Sequence, residues 1–293
     1  MRDSQQKNLY KYRHIHYVSK TVFLSNVTYT TTSKFNIHFH NGYEILFVTE
    51  GKYVIYTPNK QYEGEAPCIA MFRLGTYHGC GFFDCENVPA NRFVINYTQE
   101  FIDSIPTYML DSDQFLENDI SIIPLDKDSY QRMLYLFSDF YRVYLMHQNE
   151  TISPKTYGYM TVILNSIVEI LKNSNAILAN VCETEDKYIY DVIRLLLSET
   201  AGDNPISVSS LSDQFFVSRT KLADDFRRVT GISIKHMIDE LRIERVKKLI
   251  ELGYSNKEIT ELCGFSSDSY FAQFFYKHMN MSPQAYRKLN DIK

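Results

Sequence analysis

The sequence has no run of apolar residues long enough to cross a bilayer, and its first residues, MRDSQQKNLYKYRHIHY, are polar. A membrane-spanning helix needs about 20 consecutive apolar residues, and a secretory signal also needs an uninterrupted apolar stretch. The five cysteines contain no CxxC pair, which argues against the common structural zinc motifs and against a disulfide framework. These absences predict a reduced, cytoplasmic protein without a membrane segment.

Motifs that bind phosphates or carry a nucleophile are missing too. The chain has no P-loop, no GxGxxG segment and no GxSxG nucleophile elbow, which are patterns that identify many nucleotide-binding proteins and hydrolases. We therefore expect that the protein is not an enzyme, that it has no catalytic residue, and that it uses no cofactor.

A large positive charge is also lacking, since 31 lysine and arginine residues stand against 35 acidic residues. The balance changes along the chain: residues 186–293 carry 16 basic and 15 acidic side chains, whereas residues 1–185 carry 15 and 20. Any contact with nucleic acid must therefore depend on the local placement of charge rather than on bulk attraction.

The first third of the sequence has the pattern of short β-strands. The segments EILFVTE, KYVIYTP and NRFVINYT are rich in β-branched and aromatic residues, and turn residues such as Pro58, Asn59, Gly64 and Pro89 separate the segments. This pattern predicts a β-sandwich or a small barrel.

After about Asp126 the apolar residues repeat with a helical period. Two apolar stripes, separated by Thr151–Pro154, predict a helical hairpin. The stripes consist of Tyr130, Met133, Leu134, Phe137, Phe140, Tyr141 and Tyr144, and of Met160, Ile163, Leu164, Ile167, Val168 and Leu171. The hairpin either covers the barrel or forms a dimer interface, and the stripes alone do not distinguish these two roles.

Residues 174–186 fit neither period, and we interpret them as a linker. From Lys187 onward the sequence indicates short helices separated by turns. Two segments of this region share one pattern, so the chain contains a loose internal duplication.

The first of these segments is SVSSLSDQFFVSRTKLADDFRRVTGIS. Ser207 can cap a short helix, Phe215–Val217 can form a turn, and Ser218 can cap a second helix. Gly231 is a natural stop for that helix. The inner face of the second helix carries Leu222, Phe226 and Val229. Two helices joined by a tight turn are predicted here.

The second segment, YSNKEITELCGFSSDSYFAQFFYKHMNMSPQAYR, repeats this arrangement. Ser255 can cap its first helix, Gly264 lies in the turn, where a positive φ is expected, and Ser266 or Ser267 can cap its second helix. The inner face carries Phe271 and Phe275. The second helix of each segment has a polar outer face, as do helices that enter a major groove about 12 Å wide.

The connection between the two segments, SIKHMIDELRIERVKKLIELG, predicts one helix from about Ser233 to Leu252. Twenty residues at 1.5 Å each span about 30 Å, close to the roughly 34 Å of one turn of B-DNA. The connecting helix is therefore long enough to hold two recognition helices in successive major grooves.

Together the two segments resemble the DNA-binding domain of AraC/XylS-type transcription regulators. The resemblance covers about Lys187 to Lys288 and extends through nearly all of GFSSDSYFAQFFYKHMNMSPQAYR. It implies double-stranded promoter DNA and RNA polymerase as partners, and it is compatible with a homodimer. The residues expected to contact DNA are Ser218, Arg219, Thr220, Ala223, Asp224, Arg227, Arg228, Ser267, Asp268, Ser269, Ala272, Gln273, Tyr276 and Lys277.

Three residues depart from the family pattern. Asp224 and Asp225 stand where these regulators often have basic or polar residues. Asp224 can accept a hydrogen bond from cytosine N4, whereas Asp225 lies nearer the inner face, where pairing with an arginine would make it structural. Phe216 is bulky for its turn.

The N-terminal strands contain His38, His40 and Glu44 in HFHNGYEILFVTEG, followed by His78 in RLGTYHG. Alternate residues on a strand share a face, so both histidines of the HxH pair can point into a barrel. Glu44 can return to that face after the irregularity at Asn41-Gly42, and His78 can reach the same place from a facing strand.

This spacing resembles the cupin metal motif, in which three histidines and one glutamate bind a divalent ion. The match is good from His38 to Gly51. It is weak in the second half, where a proline is missing and the spacing from Gly64 is long. The cupin resemblance covers about Phe35 to Tyr97. In AraC-type regulators a similar HxHxxxE segment commonly opens a cupin-like sensor domain without catalysis.

We therefore interpret His38, His40, Glu44 and His78 as a ligand-binding set for a small-molecule effector, with a carbohydrate as one candidate, and we expect no metal there. One alternative is a divalent metal at these residues, as in a cupin-type metalloenzyme fused to a DNA-binding module. Another is a regulator that a protein partner switches without any small ligand.

The predicted architecture is α+β with two domains. A cupin-like β-barrel with a helical hairpin, serving as sensor and possible dimerisation domain, occupies residues 1–173, and residues 174–186 form a linker. An all-α AraC-type domain with two helix-turn-helix units occupies residues 187–293.

Overall fold

The computed structural model describes residues 14–16, 22–32, 38–57, 60–106, 109–110, 118–146, 153–179, 187–199 and 207–289. The chain divides into two compact units, Met1–Thr184 and Glu185–Lys293. The first unit is rich in β-sheet and the second is helical, so the predicted α+β class with two differently built parts is confirmed. In the part of the chain that the structure describes, no helix is both long enough and apolar enough to span a bilayer.

The first unit contains two antiparallel sheets and a short parallel pair of strands. A six-stranded sheet has the order β11-β10-β7-β4-β9-β2, a three-stranded sheet has the order β6-β5-β8, and β1 pairs with β3. The strands are β1 (His14–His16), β2 (Val22–Tyr29), β3 (His38–His40), β4 (Tyr43–Glu50), β5 (Lys52–Tyr56), β6 (Gln61–Glu65), β7 (Cys68–Phe72), β8 (Gly79–Phe83), β9 (Ala90–Tyr97), β10 (Ile120–Pro124) and β11 (Ile177–Ala179). A short helix α1 (Gln99–Ser104) follows β9.

The two sheets pack face to face through aromatic side chains. The ring of Tyr29 on β2 stacks on the ring of Phe82 on β8, with the centroids 4.8 Å apart. On β4, alternate residues point to opposite faces. Glu44 therefore points into the space between the sheets, whereas Phe47 points outward. The enclosed face of β4 is where the predicted sensor residues converge.

The outer face of the large sheet is covered by a helical hairpin of α2 (Lys127–Met146) and α3 (Pro154–Asn173). The ring of Phe137 on α2 lies 5.0 Å from that of Phe47 and 5.7 Å from that of Phe93. The predicted helical stripes are confirmed, because their buried members include Met133, Phe137, Phe140, Tyr144, Met160, Ile163, Leu164, Ile167 and Val168. A dimer interface on this hairpin stays a prediction.

Two expectations need correction. Ile177–Ala179, which lie in the predicted linker, form β11 and pair with β10, and three residues are too few to show a strand period. Gly64 lies inside β6 rather than in a turn and pairs with Tyr53 on β5. A Cβ atom at this position would lie 2.5 Å from the hydroxyl of Tyr53, which accounts for a glycine in the strand. Residues 58–59, 151–152 and 180–186, which belong to the predicted turns and linker, lie outside the described residues.

The second unit consists of helices α4 (Lys187–Glu199), α5 (Val208–Gln214), α6 (Arg219–Thr230), α7 (Ile234–Glu251), α8 (Asn256–Leu262), α9 (Asp268–Met279) and α10 (Pro283–Leu289). The predicted caps are confirmed. The side chains of Ser207, Ser218, Ser255 and Ser267 each accept a hydrogen bond from the backbone of the helix that follows, and Gly231 ends α6 with φ 78°. The connecting helix α7 is capped by Ser233 and ends against Leu252, at the limits that the sequence predicted.

Candidate functional site

The four predicted sensor residues lie together between the sheets. One potential ligand atom from each of His38, His40, Glu44 and His78 lies within 4.8 Å of all the others. The expectation that His78 comes from a facing strand is wrong. His78 lies beside His38, and the two residues exchange backbone hydrogen bonds of 2.9 Å in each direction.

Short contacts join three of these side chains. His40 Nε2 lies 2.6 Å from Glu44 Oε2 and 3.1 Å from His38 Nε2. An imidazole Nε2 carries either a proton or a lone pair, so one nitrogen cannot donate to Glu44 and accept from His38 in the same plane. A group placed at the centre of the cluster would relieve this conflict if it could interact with several lone pairs at once.

His78 is fixed in one orientation, and its free lone pair faces the cluster. Its Nδ1 lies 2.9 Å from the carbonyl oxygen of Thr76. A carbonyl can only accept, so Nδ1 carries a proton, and in the neutral imidazole Nε2 then keeps the lone pair. This Nε2 atom is buried, has no hydrogen-bond partner, and lies 3.6 Å from Glu44 Oε1. The ring of Phe72 stacks on the imidazole at 3.8 Å. The imidazole is therefore fixed in an orientation in which Nε2 can bind a group at the centre of the cluster.

Glu44 supplies the negative charge of the cluster. Burial alone would raise the pKa of its carboxyl group, but the neighbouring imidazoles, His40 first and His78 to a lesser extent, hold the pKa well below its ordinary value. Asn96 on β9, which sequence reasoning did not identify, donates a 2.9 Å hydrogen bond to Glu44 Oε2. The cluster thus presents an ionised carboxylate beside three imidazole rings.

Two kinds of group fit this arrangement. A divalent ion with ligand distances of about 2.1 Å would be bound by all four side chains, and a closed tetrahedral shell would hold the ligand atoms about 3.4 Å apart. The separations here are uneven, from 2.6 Å to within 4.8 Å. A ligand hydroxyl, which both donates and accepts, needs no such regularity.

The second candidate site is formed by α6 and α9, the second helices of the two helix-turn-helix units. The fourteen predicted contact residues are exposed, apart from the partly buried Ala272. The hydroxyls of Ser218 and Ser267 accept hydrogen bonds from the backbone of Lys221 and Tyr270, so these serines also fix the start of each helix. The two helices therefore present polar faces to solvent.

Asp225 organises the exposed face of α6. Its carboxylate forms ion pairs of 2.7 Å with Lys221 and with Arg228, and it accepts a hydrogen bond from the hydroxyl of Tyr188 on α4. The expected pairing with an arginine is confirmed. The hydrogen bond from Lys221 contributes most to lowering the pKa of Asp225 far below its usual range, and Tyr188 and Arg228 add to it. Asp225 therefore joins α4 to α6 and offsets two positive charges on α6.

The turns of the two units differ at one position. Gly264 has φ 63°, as predicted, and Phe216 occupies the corresponding place with φ 54°. The left-handed conformation is costly for a bulky side chain. The side chain of Phe216 is also 95% exposed. The first turn therefore contains a strained residue that packing does not support.

Comparisons with known proteins agree with the geometry of the second unit. A family model described as a helix-turn-helix domain matches residues 211–289. The chain is 36% identical over 83 residues to the xylose operon regulatory protein of Haemophilus influenzae, which is 28% of this chain and 21% of that protein. It is 29% identical over 85 residues to the transcriptional activator RhaR of Pectobacterium carotovorum, 29% of this chain and 30% of that protein.

The chain thus spans less than a third of the length of these curated relatives. Among solved structures, ToxT from Vibrio cholerae is 18% identical, with 91% of this chain and 98% of that chain covered and a TM-score of 0.45.

Proposed function

We propose that this protein is a transcription regulator of the AraC type, starting from the match of residues 211–289 to a helix-turn-helix family model and from the similarity to RhaR. The observation that carries the proposal is that two capped helices with exposed polar faces, α6 and α9, are present, one before and one after α7 in the chain. At 1.5 Å per residue α7 is about 27 Å long, which suits two contacts in successive major grooves.

Binding to a selected DNA sequence tests this proposal. Duplexes enriched by the full chain from a random library would be footprinted with the same protein. We expect protection of about 20 base pairs that covers two successive major grooves on one face. Protection confined to a single groove, or no enrichment above the starting library, would contradict tandem recognition.

We further propose that the first unit binds a small-molecule effector between its sheets, at His38, His40, Glu44 and His78. The buried lone pair of His78 and the ionised Glu44 support this role, because specific pockets combine apolar walls with a few fixed polar groups. The effector would regulate DNA binding by binding one conformational state more tightly than another. RNA polymerase and a second copy of the chain are proposed partners, and the proposed location is the cytoplasm.

A divalent metal at the same cluster is the second candidate. In that case the first unit could be a cupin-type metalloenzyme. The orientation of His78 favours a metal, since metal-binding histidines usually donate their other ring N–H to a carbonyl or carboxylate. Elemental analysis and an assay for turnover separate this candidate from the effector pocket.

A further inference from the structure

A second polar group, Arg92 on β9, points into the same space between the sheets. In the pairing of β4 with β9, Glu44 lies opposite Asn96 and Val48 lies opposite Arg92. Alternate residues of a strand share a face, so Arg92 lies on the same face as Asn96 and the carboxylate of Glu44. Four residues of strand separate Arg92 from Asn96, which corresponds to about 13 Å.

Aromatic side chains from both sheets hold the guanidinium group of Arg92 in place. Its central carbon lies 5.3 Å from the ring centre of Tyr29 and 5.5 Å from that of Phe82. Tyr29 belongs to the large sheet, and the fully buried Phe82 belongs to the small one. The positive charge is therefore positioned between the sheets by contacts with ring faces.

The charge of Arg92 is not matched by an acidic side chain. Among the residues that the structure describes, no carboxylate lies within ion-pair distance of the guanidinium group, and the buried Nε atom has no hydrogen-bond acceptor. The thiol of Cys80 lies beside the group, but a thiol is a weak and neutral acceptor. Glu44, which shares this face, is already bound to His40 and Asn96.

A partly buried charge of this kind needs an explanation, because an enclosed donor without an acceptor costs free energy. Arginine carries five N–H donors in a planar fork that fits the two oxygens of a carboxylate or phosphate. A bound anion would supply the acceptor for Nε and would offset the charge of the guanidinium group.

We infer that the space between the sheets binds an anionic, hydroxylated organic molecule, whose carboxylate or phosphate group pairs with Arg92. Its hydroxyl groups would reach the cluster of His38, His40, Glu44 and His78 at the other end. A sugar acid or a sugar phosphate has this combination of groups. The inference rests on the proposed role of the first unit as an effector-binding domain, and it adds the chemical class of the effector.

The test uses the full chain with two simple anions, two charged sugars and one neutral sugar. All are compared at constant ionic strength, with sodium chloride as the reference salt. Inorganic phosphate and acetate report on the anion site alone. Glucuronate and glucose 6-phosphate are each compared with glucose, so that a carboxylate and a phosphate are distinguished. Thermal unfolding and isothermal titration calorimetry measure the binding. Arg92→Gln removes the charge, and Arg132→Gln on the exposed face of α2 is the matched control.

For the wild-type chain and Arg132→Gln, we expect phosphate or acetate to raise the unfolding temperature more than chloride does. At least one charged sugar should bind about tenfold more tightly than glucose. In Arg92→Gln both preferences should disappear. Circular dichroism establishes that this variant folds. If it does not fold, Arg92→Lys, which keeps the charge but loses the fork, should show a weakened preference.

The inference is overturned if no probe anion is preferred over chloride and glucose by the wild-type chain, or if a folded Arg92 variant keeps the full preference. DNA selection and footprinting without any added sugar or phosphate report separately on the second unit. Absence of anion binding with normal DNA selection would contradict only the inference about the effector. Anion binding without DNA selection would contradict only the proposed DNA-binding function.

Discussion

Arg242 on α7 donates hydrogen bonds from Nε and Nη2 to the carbonyl oxygen of Cys263, at 3.0 and 2.7 Å. Nη2 also lies 2.9 Å from the carbonyl oxygen of Gly264, and the guanidinium group lies 4.3 Å from the ring centre of Phe265. One side chain thus satisfies the carbonyl groups at the end of α8 and fixes the turn of the second helix-turn-helix unit on the connecting helix.

Arg242→Ala should lower the free energy of unfolding by about 2–3 kcal/mol, because carbonyl groups at a helix end lose a charged donor. Arg242→Lys should recover only part of this loss, since an ammonium group lacks the planar fork and the stacking surface. Urea unfolding of the full chain, followed by circular dichroism, measures the effect. Lys235→Ala, on an exposed position of the same helix, is the control and should be nearly neutral. Equal stability of the Arg242 and Lys235 variants would show that the contact is dispensable.

Asp225→Asn should destabilise the second unit in a pH-dependent way. The folded-state pKa of Asp225 is lowered, so its contribution to stability is fully present above the unfolded pKa of about 3.9 and is lost as the pH falls through the lower folded value. The difference between wild type and variant should therefore be largest near neutral pH and shrink below about pH 4. Denaturation curves across this range measure it.

Asp224→Asn is the matched control for this change, because it removes the same charge from the neighbouring exposed position. Its stability should match the wild type at every pH. Both variants should bind non-specific DNA more tightly, because the repulsion of phosphates falls. An equal loss of stability in both would mean that the ion pairs of Asp225 contribute nothing measurable.

Phe216→Asn should raise the free energy of unfolding by about 0.5–1 kcal/mol, because asparagine adopts the left-handed conformation more readily than phenylalanine. The side chain removed is exposed, so little packing is lost. Gly264→Ala places a side chain in the same conformation in the other unit and should destabilise by about 1 kcal/mol. Thermal unfolding compares the two. Destabilisation by Phe216→Asn would mean that the phenyl ring makes a stabilising contact.

Gln273→Ala should relax base preference in one half of the selected DNA site, at a cost of about 1–3 kcal/mol for the preferred base. Gln273 is exposed on α9 at a position that faces away from the buried phenylalanines. Lys277→Ala is the comparison, and it should weaken binding to all sequences alike and reduce the salt dependence. Competition binding against single-base variants of the site separates the two. An unchanged base preference in Gln273→Ala would show that another side chain reads that half.

His40→Ala and Glu44→Ala should impair the response of a promoter to the effector while leaving DNA selection intact. The effector is sought by growing a reporter strain on the sugar acids and sugar phosphates named above. Protein purified without added metal should contain well under one equivalent of zinc, iron or manganese. Stoichiometric metal would favour the metal site, and a normal response in both variants would remove these residues from effector binding.

Local patterns predicted the second unit well. Its caps and turns are set by residues within four positions of one another, such as Ser255 and Glu258, which form a capping box. The limits of α7 follow from Ser233 and from the end of the apolar period. Arg242 was not predicted, because its partners lie 21 and 22 residues further along the chain and no local spacing marks such a contact.

The same distinction holds in the first unit. His38, His40 and Glu44 were identified because strand alternation places them on one face. Asn96 and Arg92 were missed because β9 reaches this face only through pairing with β4, about 50 residues earlier in the chain. The partial burial of Arg92 beside the stacked rings of Tyr29 and Phe82 is also invisible in a sequence, where an arginine in a strand is usually read as exposed.

The helix α7, IKHMIDELRIERVKKLIE, contains neither glycine nor proline. A helix without such breaks has no site that favours a sharp kink, so under the proposed tandem recognition α7 holds the two DNA-contacting helices at a nearly constant separation. The number of base pairs between the two half-sites would then be constrained. Bases within either half-site can change one at a time, but inserting about five base pairs between the halves turns them to opposite sides of the duplex. A promoter that this protein reads with both helices would therefore have to preserve the phase of its two halves even where the sequence between them is free to vary.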